Sequence, residues 1–374
     1  MALLDRVDPS GLDEFSVVFT DRSLNHMSAQ FQEVMRDISS MLREVYGAAE
    51  VALVPGGGTF GMEAVARQFG QEARVLVVRN GWFSYRWSQI FEAGGFAGET
   101  TVLKARQTSN SATAPFAPPP IEEVEAAIAE AQPDLVFAPH VETSAGIILP
   151  DDYITRMARA AHDAGALMVL DCIASGCVWV DMKTTGVDVL ISAPQKGWSS
   201  TPCAGLVMLS ERAARRMQDT ASNSFAADLK KWREIMKAYE DGGHAYHATL
   251  PTDGLKMFRD TMAETRDYGF ERLKDAQWAL GDKVRAMFAG KGIASVAAEG
   301  FGAPGVVVSY TGDADVKTGK AFAAKGMQIA AGVPLAVDEP AGFSTFRIGL
   351  FGLDKLYDVD ATVERLRAAV DAVL

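Results

Sequence analysis

One lysine is set apart by its surroundings. In 187-VDVLISAPQKGWSSTPCAG-205 an apolar run, Val187 to Ile191, opens into a loop of small residues, and Lys196 follows. At an exposed loop edge such a lysine is a solvated cation. Held at the mouth of a sheet and withdrawn from water, it has a depressed pKa and can form a Schiff base. Asp171 stands 25 residues earlier (196 − 171), directly after a second apolar run, 166-ALMVL-170. That interval fits one unit of helix or loop plus strand, which can bring both residues to one sheet edge. A carboxylate there is a helix cap, a metal ligand or the partner of a cation in a pocket. No His or second acid nearby in sequence favours the metal. The third feature is 55-PGGGTFGMEA-64, a glycine loop entering a helix. Backbone N–H groups at a helix start, with the Thr59 hydroxyl, suit a phosphate. The loop is neither a Walker P-loop nor a GxGxxG fingerprint.

These residues need elements to position them. From about residue 50 the chain alternates short apolar runs with helical patterns: 51-VALVP-55, 74-RVLVV-78, 135-LVFA-138, 166-ALMVL-170, 187-VDVLI-191 and 204-AGLVML-209 read as strands. Strands this apolar are covered on both faces, as in a parallel sheet flanked by helices. Ile121, Val124, Ile128 and Ala131 recur at helical spacing behind Pro120, which suits a helix start. The stretch 108-TSNSATAPFAPPP-120 reads as a loop, residues 225–241 and 252–289 as long charged helices, 305-GVVVSY-310 as a strand and 359–374 as a last helix. The expected class is α/β: a mostly parallel central sheet plus a smaller α+β C-terminal domain. The expected division is an N-terminal arm, 1–22, a large domain, 23–268, and a small domain, 269–374. Ligands of open parallel sheets bind at the carboxyl ends of strands. There the sequence places 55-PGGGT-59, 80-NGWFSYR-86, 140-HVETSAG-146, 171-DCIASG-176 and 192-SAPQK-196.

Composition narrows the partners. The 374 residues carry a net charge of −12, with 48% hydrophobic and 22% charged residues. Nucleic acid and anionic membrane both need clustered positive charge, so neither is expected. No apolar run approaches the roughly 18 residues of a membrane span. The start, MALLDRVDPSGLDEF, lacks the pattern of a signal peptide. Three cysteines, Cys172, Cys177 and Cys203, form no CxxC pair and show no metal-ligand spacing, so a reducing, cytoplasmic setting is expected.

A lysine, an acid and a phosphate loop at one sheet edge together ask for an aromatic ring with a phosphate arm, an aldehyde and a pyridine nitrogen. That ligand is pyridoxal 5′-phosphate, whose binding sites pair a Schiff-base lysine with an acidic partner for the ring nitrogen. The ordered motifs GGGT, NGxF, HxETS-G, D-x-x-x-S, QK, YHxTLP and FRIG resemble the class V aminotransferases of pyridoxal-phosphate fold type I. The chain is most similar to their alanine/serine–glyoxylate and phosphonate transaminase branch, from about residue 35 to the C-terminus.

The resemblance implies roles. Gly57, Gly58 and Thr59 match the loop that binds the cofactor phosphate, Phe83 the aromatic stacked on the ring, and Thr143 a hydroxyl contacting the cofactor. Asp171 matches the partner of the ring nitrogen, Ile173 the apolar side of the ring, Gln195 a cofactor contact and Lys196 the Schiff-base lysine. Tyr246 and Thr249 match residues reaching the phosphate from the neighbouring subunit, so a homodimer with shared active sites is implied. Arg347 matches the arginine for the substrate carboxylate. His140 and His247 read as structural residues, and Glu142 falls in the same motif as His140. The chain departs from the pattern in 15-FSVVFTDRSLNHMS-28, where a Gly-Pro-Gly-Pro-like segment is usual, and at Ala145 and Ala193-Pro194. Within the atypical segment, Arg22 and Asn25 are candidates for a second polar group of the substrate.

The expected activity is transfer of an amino group from a small, alanine- or serine-like amino acid to a 2-oxo acid such as glyoxylate or pyruvate, with Lys196 and Asp171 as catalytic residues. The alternatives are a lyase or desulfurase of the same fold, a transaminase for aminophosphonates or aminosulfonates, and a phosphate-binding module without catalysis.

Overall fold

The computed structural model describes residues 22–374 and positions 8, 11–13, 15 and 16. Most of the expected arm 1–22, and residues 17–21 of the atypical segment, lie outside the described residues.

The apolar runs become a seven-stranded sheet. Its strands are β1 (Glu50–Pro55), β2 (Arg74–Arg79), β3 (Glu99–Lys104), β4 (Leu135–Pro139), β5 (Leu167–Asp171), β6 (Val189–Ser192) and β7 (Ala204–Leu209), in spatial order β1-β7-β6-β5-β4-β2-β3. Every residue of β4, β5, β6 and β7 is buried, as both-face coverage requires. The pairs β3–β2, β2–β4, β4–β5 and β5–β6 are parallel. β7 runs antiparallel to both β6 and β1, so β1 points the same way as the parallel strands. The carboxyl ends of β1, β2, β4, β5 and β6 therefore share one edge.

Helices cover the faces: α1 (Ala29–Tyr46), α2 (Gly58–Phe69), α3 (Tyr85–Gly94), α4 (Ile121–Ala131), α5 (Asp151–Asp163) and α6 (Leu229–Glu240). α1 starts where the Ser28 hydroxyl accepts the Phe31 N–H and ends at Gly47, whose φ of 66° suits a left-handed cap. α4 starts behind Pro120, as its spacing implied.

Two expectations need correction. Residues 252–289 are two helices, α7 (Thr252–Tyr268) and α8 (Phe270–Gly290), broken at Gly269 with φ 107°. No side chain adopts that conformation readily, so the helix cannot run through it. The stretch expected as a plain loop, 108–120, contributes Phe116–Ala117 to a short antiparallel ladder with Arg106–Gln107.

A second sheet comprises β8 (Val306–Tyr310), β9 (Ala330–Ala331) and β10 (Thr345–Gly349), ordered β8-β10-β9 and antiparallel. Side chains alternate across β8. Val306, Val308 and Tyr310 join Val141, Ala145 and Ile147 in one apolar cluster, whereas Val307 faces the main core. That alternation seats the small sheet on the loop after β4. The last helix, α9 (Val359–Val373), packs on α8.

Candidate active site

The shared sheet edge opens into a cleft of about 360 Å³ lined by residues of both sheets. The large sheet contributes Gly58 and Thr59 after β1, Phe83 after β2, Thr143 after β4, Asp171 and Ile173 at the end of β5, and Gln195 and Lys196 after β6. The small sheet contributes Arg347 and Gly349 from β10, and Phe351 beyond it. Of the residues singled out in the sequence, Gly58, Thr59, Phe83, Thr143, Asp171, Ile173, Gln195, Lys196 and Arg347 are brought together here.

Lys196 is held from beneath. Two residues on, Trp198 is fully buried among Tyr46, Trp179, Phe258 and Phe270, with ring centroids 4.8–6.3 Å away. The lysine loop thus hangs on an aromatic cluster. Lys196 Nζ lies 5.3 Å from the centre of the Phe351 ring, and its pKa is depressed by burial and by the Arg347 charge.

Asp171 behaves oppositely. Burial pushes its carboxyl from the ordinary 3.8 up to about 7, against the Ile173 N–H, which donates to Oδ1 at 2.9 Å. Glu142 adds to the rise and Arg86 opposes it. A buried carboxyl held this way is returned to its ionised form by a cation placed beside it.

Gly58, at the first turn of α2, leaves room for Ile173. A Cβ there would meet Ile173 Cδ1 at 2.5 Å. Phe60 and Gly61 donate to the Gly57 carbonyl, which leaves the N–H groups of Gly58 and Thr59 as the open donors of this helix start. Gln195 Oε1 is buried without a protein partner. Arg347 donates from Nε to the Ala331 carbonyl at 2.8 Å, which fixes its guanidinium 5.6 Å from the Phe83 ring centre. Burial lowers its pKa and Glu142 opposes that shift.

A helix start with free donors, an amine drawn below its usual range, a buried carboxyl seeking a cation and an orphaned amide oxygen fit pyridoxal phosphate. The sequence of the family described as Aminotransferase class-V matches residues 14–290. The chain belongs to that aminotransferase class-V family. It is a pyridoxal-phosphate-dependent aminotransferase of fold type I. Its similarity extends to a Synechococcus protein named the small subunit of a soluble hydrogenase, 25% identical over 93% of this chain and 87% of that one. A 2-aminoethylphosphonate–pyruvate transaminase of Burkholderia mallei is 28% identical over 71% of this chain and 70% of its own. Among solved structures, an alanine–glyoxylate aminotransferase of Nostoc superposes with a TM-score of 0.76 at 20% identity, covering 94% of this chain and 89% of that one.

Three features of the class-V aminotransferase were not read from its sequence. Arg86, one turn into the segment 80-NGWFSYR-86, lines the cleft and donates from Nη1 to Thr59 Oγ1 at 3.0 Å. Phe351, inside 345-TFRIGLFG-352, forms a wall beside the lysine. Val141, Val306 and Ala330 complete an apolar lining. Arg86 lies in 80-NGWFSYR-86 and Phe351 two residues beyond 346-FRIG-349, so proximity to Phe83 and Arg347 was the available signal.

Tyr246 and Thr249 are not brought to this cleft. They are exposed, joined by a 3.3 Å hydroxyl contact, and line a separate small cavity with His26 and Leu24. Asn25, a candidate for a substrate contact, is buried. Its Oδ1 accepts the Met27 N–H at 2.8 Å and its Nδ2 donates to Ser16 at 3.3 Å. It shapes the turn before α1 and does not line the cleft. His140 Nδ1 lies 2.7 Å from Ser175 Oγ, and burial and Lys274 hold its pKa down at about 3. His247 Nε2 meets the Phe225 carbonyl at 2.8 Å.

All three cysteines are buried. Burial pushes the Cys177 and Cys203 thiols up to about 12 and Cys172 well above its usual value. Among the described residues no three His, Cys, Asp or Glu side chains gather as a metal site, and no helix is long and apolar enough to cross a membrane.

Proposed function

We propose that the enzyme transfers the amino group of a small, alanine- or serine-like amino acid to a short 2-oxo acid such as glyoxylate or pyruvate. The observation that carries this reading is the joint placement of Lys196, Asp171 and Arg347 in one cleft with an apolar wall of Val141, Val306, Ala330 and Phe351. Arg86 is tied to Thr59, so Arg347 is left to take one carboxylate, and the wall suits a short side chain.

The cofactor supplies an aldehyde that takes up the amino group and a ring that takes up the electrons of the substrate Cα–H bond. The chain's own residues do the rest. Lys196 would anchor the cofactor through its amine, and the same Nζ would carry the proton of the substrate Cα. Its depressed pKa favours the neutral amine this requires. Asp171 would hold a proton on the ring nitrogen. Phe83, Ile173, Thr143 and Gln195 line the cleft and would hold the ring. Gly57, Gly58 and Thr59 bind the phosphate at the start of α2. Arg347 grips the substrate carboxylate, directing Cα–H toward Lys196.

The phosphate site is completed in a homodimer by Tyr246 and Thr249 of the neighbouring copy. Their exposure supports this, as do Phe60, Tyr246 and Met257, large apolar side chains each 55–56% exposed. Phe60 follows Thr59 directly, so such an interface would abut the phosphate loop. The buried thiols speak against a desulfurase, which needs a reactive cysteine.

The test is a donor and acceptor panel on the purified enzyme loaded with pyridoxal phosphate. Alanine or serine with glyoxylate or pyruvate should give the highest kcat/KM. A preference for aminophosphonates or aminosulfonates would replace the small-amino-acid reading.

A further inference from the structure

Glu142 is a carboxylate with no solvent exposure, between β4 and the rest of its loop. Its Oε1 accepts the N–H of Phe83 at 3.2 Å, the N–H of Ser144 at 3.1 Å and the hydroxyl of Ser144 at 2.6 Å. Its Oε2 accepts the N–H of Ser84 at 2.8 Å and the hydroxyl of Ser84 at 2.7 Å. The two hydroxyls carry the network further. Ser84 Oγ accepts the N–H groups of Asn80 at 2.9 Å and Gly81 at 3.1 Å, and Ser144 Oγ accepts that of Trp82 at 2.9 Å. Five successive backbone N–H groups, from Asn80 to Ser84, thus end on one cluster of Glu142, Ser84 and Ser144. Gly81 fits this cluster because it has no side chain. A Cβ there would lie 2.2 Å from Ser144 Oγ and 2.7 Å from Glu142 Cγ.

A buried charge is tolerated only where donors replace its water. Five donors on one carboxylate are charge-assisted bonds, shorter and stronger than neutral ones. The turn they immobilise carries Phe83 into the cleft, whereas Glu142 itself does not line it. We propose that Glu142 is a positioning residue that fixes the plane of the Phe83 ring against the cofactor through the turn 80–84. The inference rests on the reading of Phe83 as the stacking ring.

Binding to the apoprotein tests it without turnover. The probe is 4′-deoxypyridoxine 5′-phosphate, which has the ring and the phosphate but no aldehyde for Lys196; inorganic phosphate is the ring-free control. Glu142→Gln should weaken the analogue by about tenfold, as expected when buried donors lose their charged acceptor. It should leave the affinity for inorganic phosphate unchanged. Phe83→Leu should weaken the analogue as well, and the double variant should bind no worse than Phe83→Leu alone, because Glu142 acts through that ring. Wild-type affinity in a folded Glu142→Gln variant, equal losses for both probes, or additive losses in the double variant would overturn the proposal. Should Glu142→Gln not fold, Ser84→Ala and Ser144→Ala each remove one donor and are read the same way; unchanged affinity in both overturns it. Wild-type binding by Phe83→Leu removes the stacking role and this proposal with it. A weak Phe83→Leu beside a normal Glu142→Gln removes the Glu142 step alone.

Discussion

Arg86 Nη1 donates a 3.0 Å hydrogen bond to Thr59 Oγ1, across 27 residues of chain and at the mouth of the cleft. The bond sets a guanidinium beside the helix start at which the phosphate is proposed to bind. Replacement of Arg86 by Gln should weaken pyridoxal phosphate by about tenfold, the scale of losing a charge-assisted contact. Pyridoxal, which lacks the phosphate, should bind as before. Equilibrium titration of the apoprotein with both compounds checks this; equal losses would place the arginine elsewhere in the chemistry.

Lys196→Ala should remove the visible absorption band of the loaded enzyme and essentially all turnover. The protein should stay folded, because the loop hangs on Trp198 rather than on the lysine. A spectrum unchanged from wild type would disprove the anchoring role.

Asp171→Asn should keep the fold and lose at least about tenfold in kcat, since a neutral amide no longer favours a proton on the ring nitrogen. It also carries a pH signature in the apoprotein. The folded carboxyl sits at about 7, against an ordinary 3.8. Between those values the folded state holds a proton that the unfolded chain has released. Stability from this group is therefore highest below about pH 4, falls as pH rises, and the penalty is complete above about pH 7. The variant should show a shallower fall in apoprotein Tm from pH 5 to 7.5. Parallel Tm profiles for the two proteins would contradict the raised carboxyl.

The proposed sharing of sites between two copies predicts complementation. A Lys196→Ala homodimer lacks the anchoring amine, and a Tyr246→Ala, Thr249→Ala homodimer holds the phosphate weakly. In a mixed dimer one site carries both lesions and the other carries neither. A heterodimer isolated through two different tags should regain activity in about one site of its two. A mixed dimer as inactive as its parents would show that each chain builds its site alone.

The sequence by itself determined the interior of the large sheet and which residues stand at its edge. Runs such as 135-LVFA-138 and 204-AGLVML-209 are legible because a strand buried on both faces has no polar alternation to confuse it. Asp171, Gly58 and Lys196 were legible because each stands within a few residues of the end of such a run, so backbone order alone sets their place. The tertiary structure decided what depends on contacts distant in sequence. β3, 99-ETTVLK-104, went unread because it is an edge strand with half-exposed residues and no apolar signature. The direction of β7 was equally hidden, since a run buried on both faces reads the same forward and reversed. No local pattern tells that Arg86 crosses to Thr59, or that five N–H groups converge around Glu142. Tyr246 and Thr249 stand outside their own chain's cleft, a separation set by the path of the backbone between β7 and α7. Burial made the final difference. The same lysine and aspartate that would titrate ordinarily in water are moved toward one another's range only once the two sheets close over them.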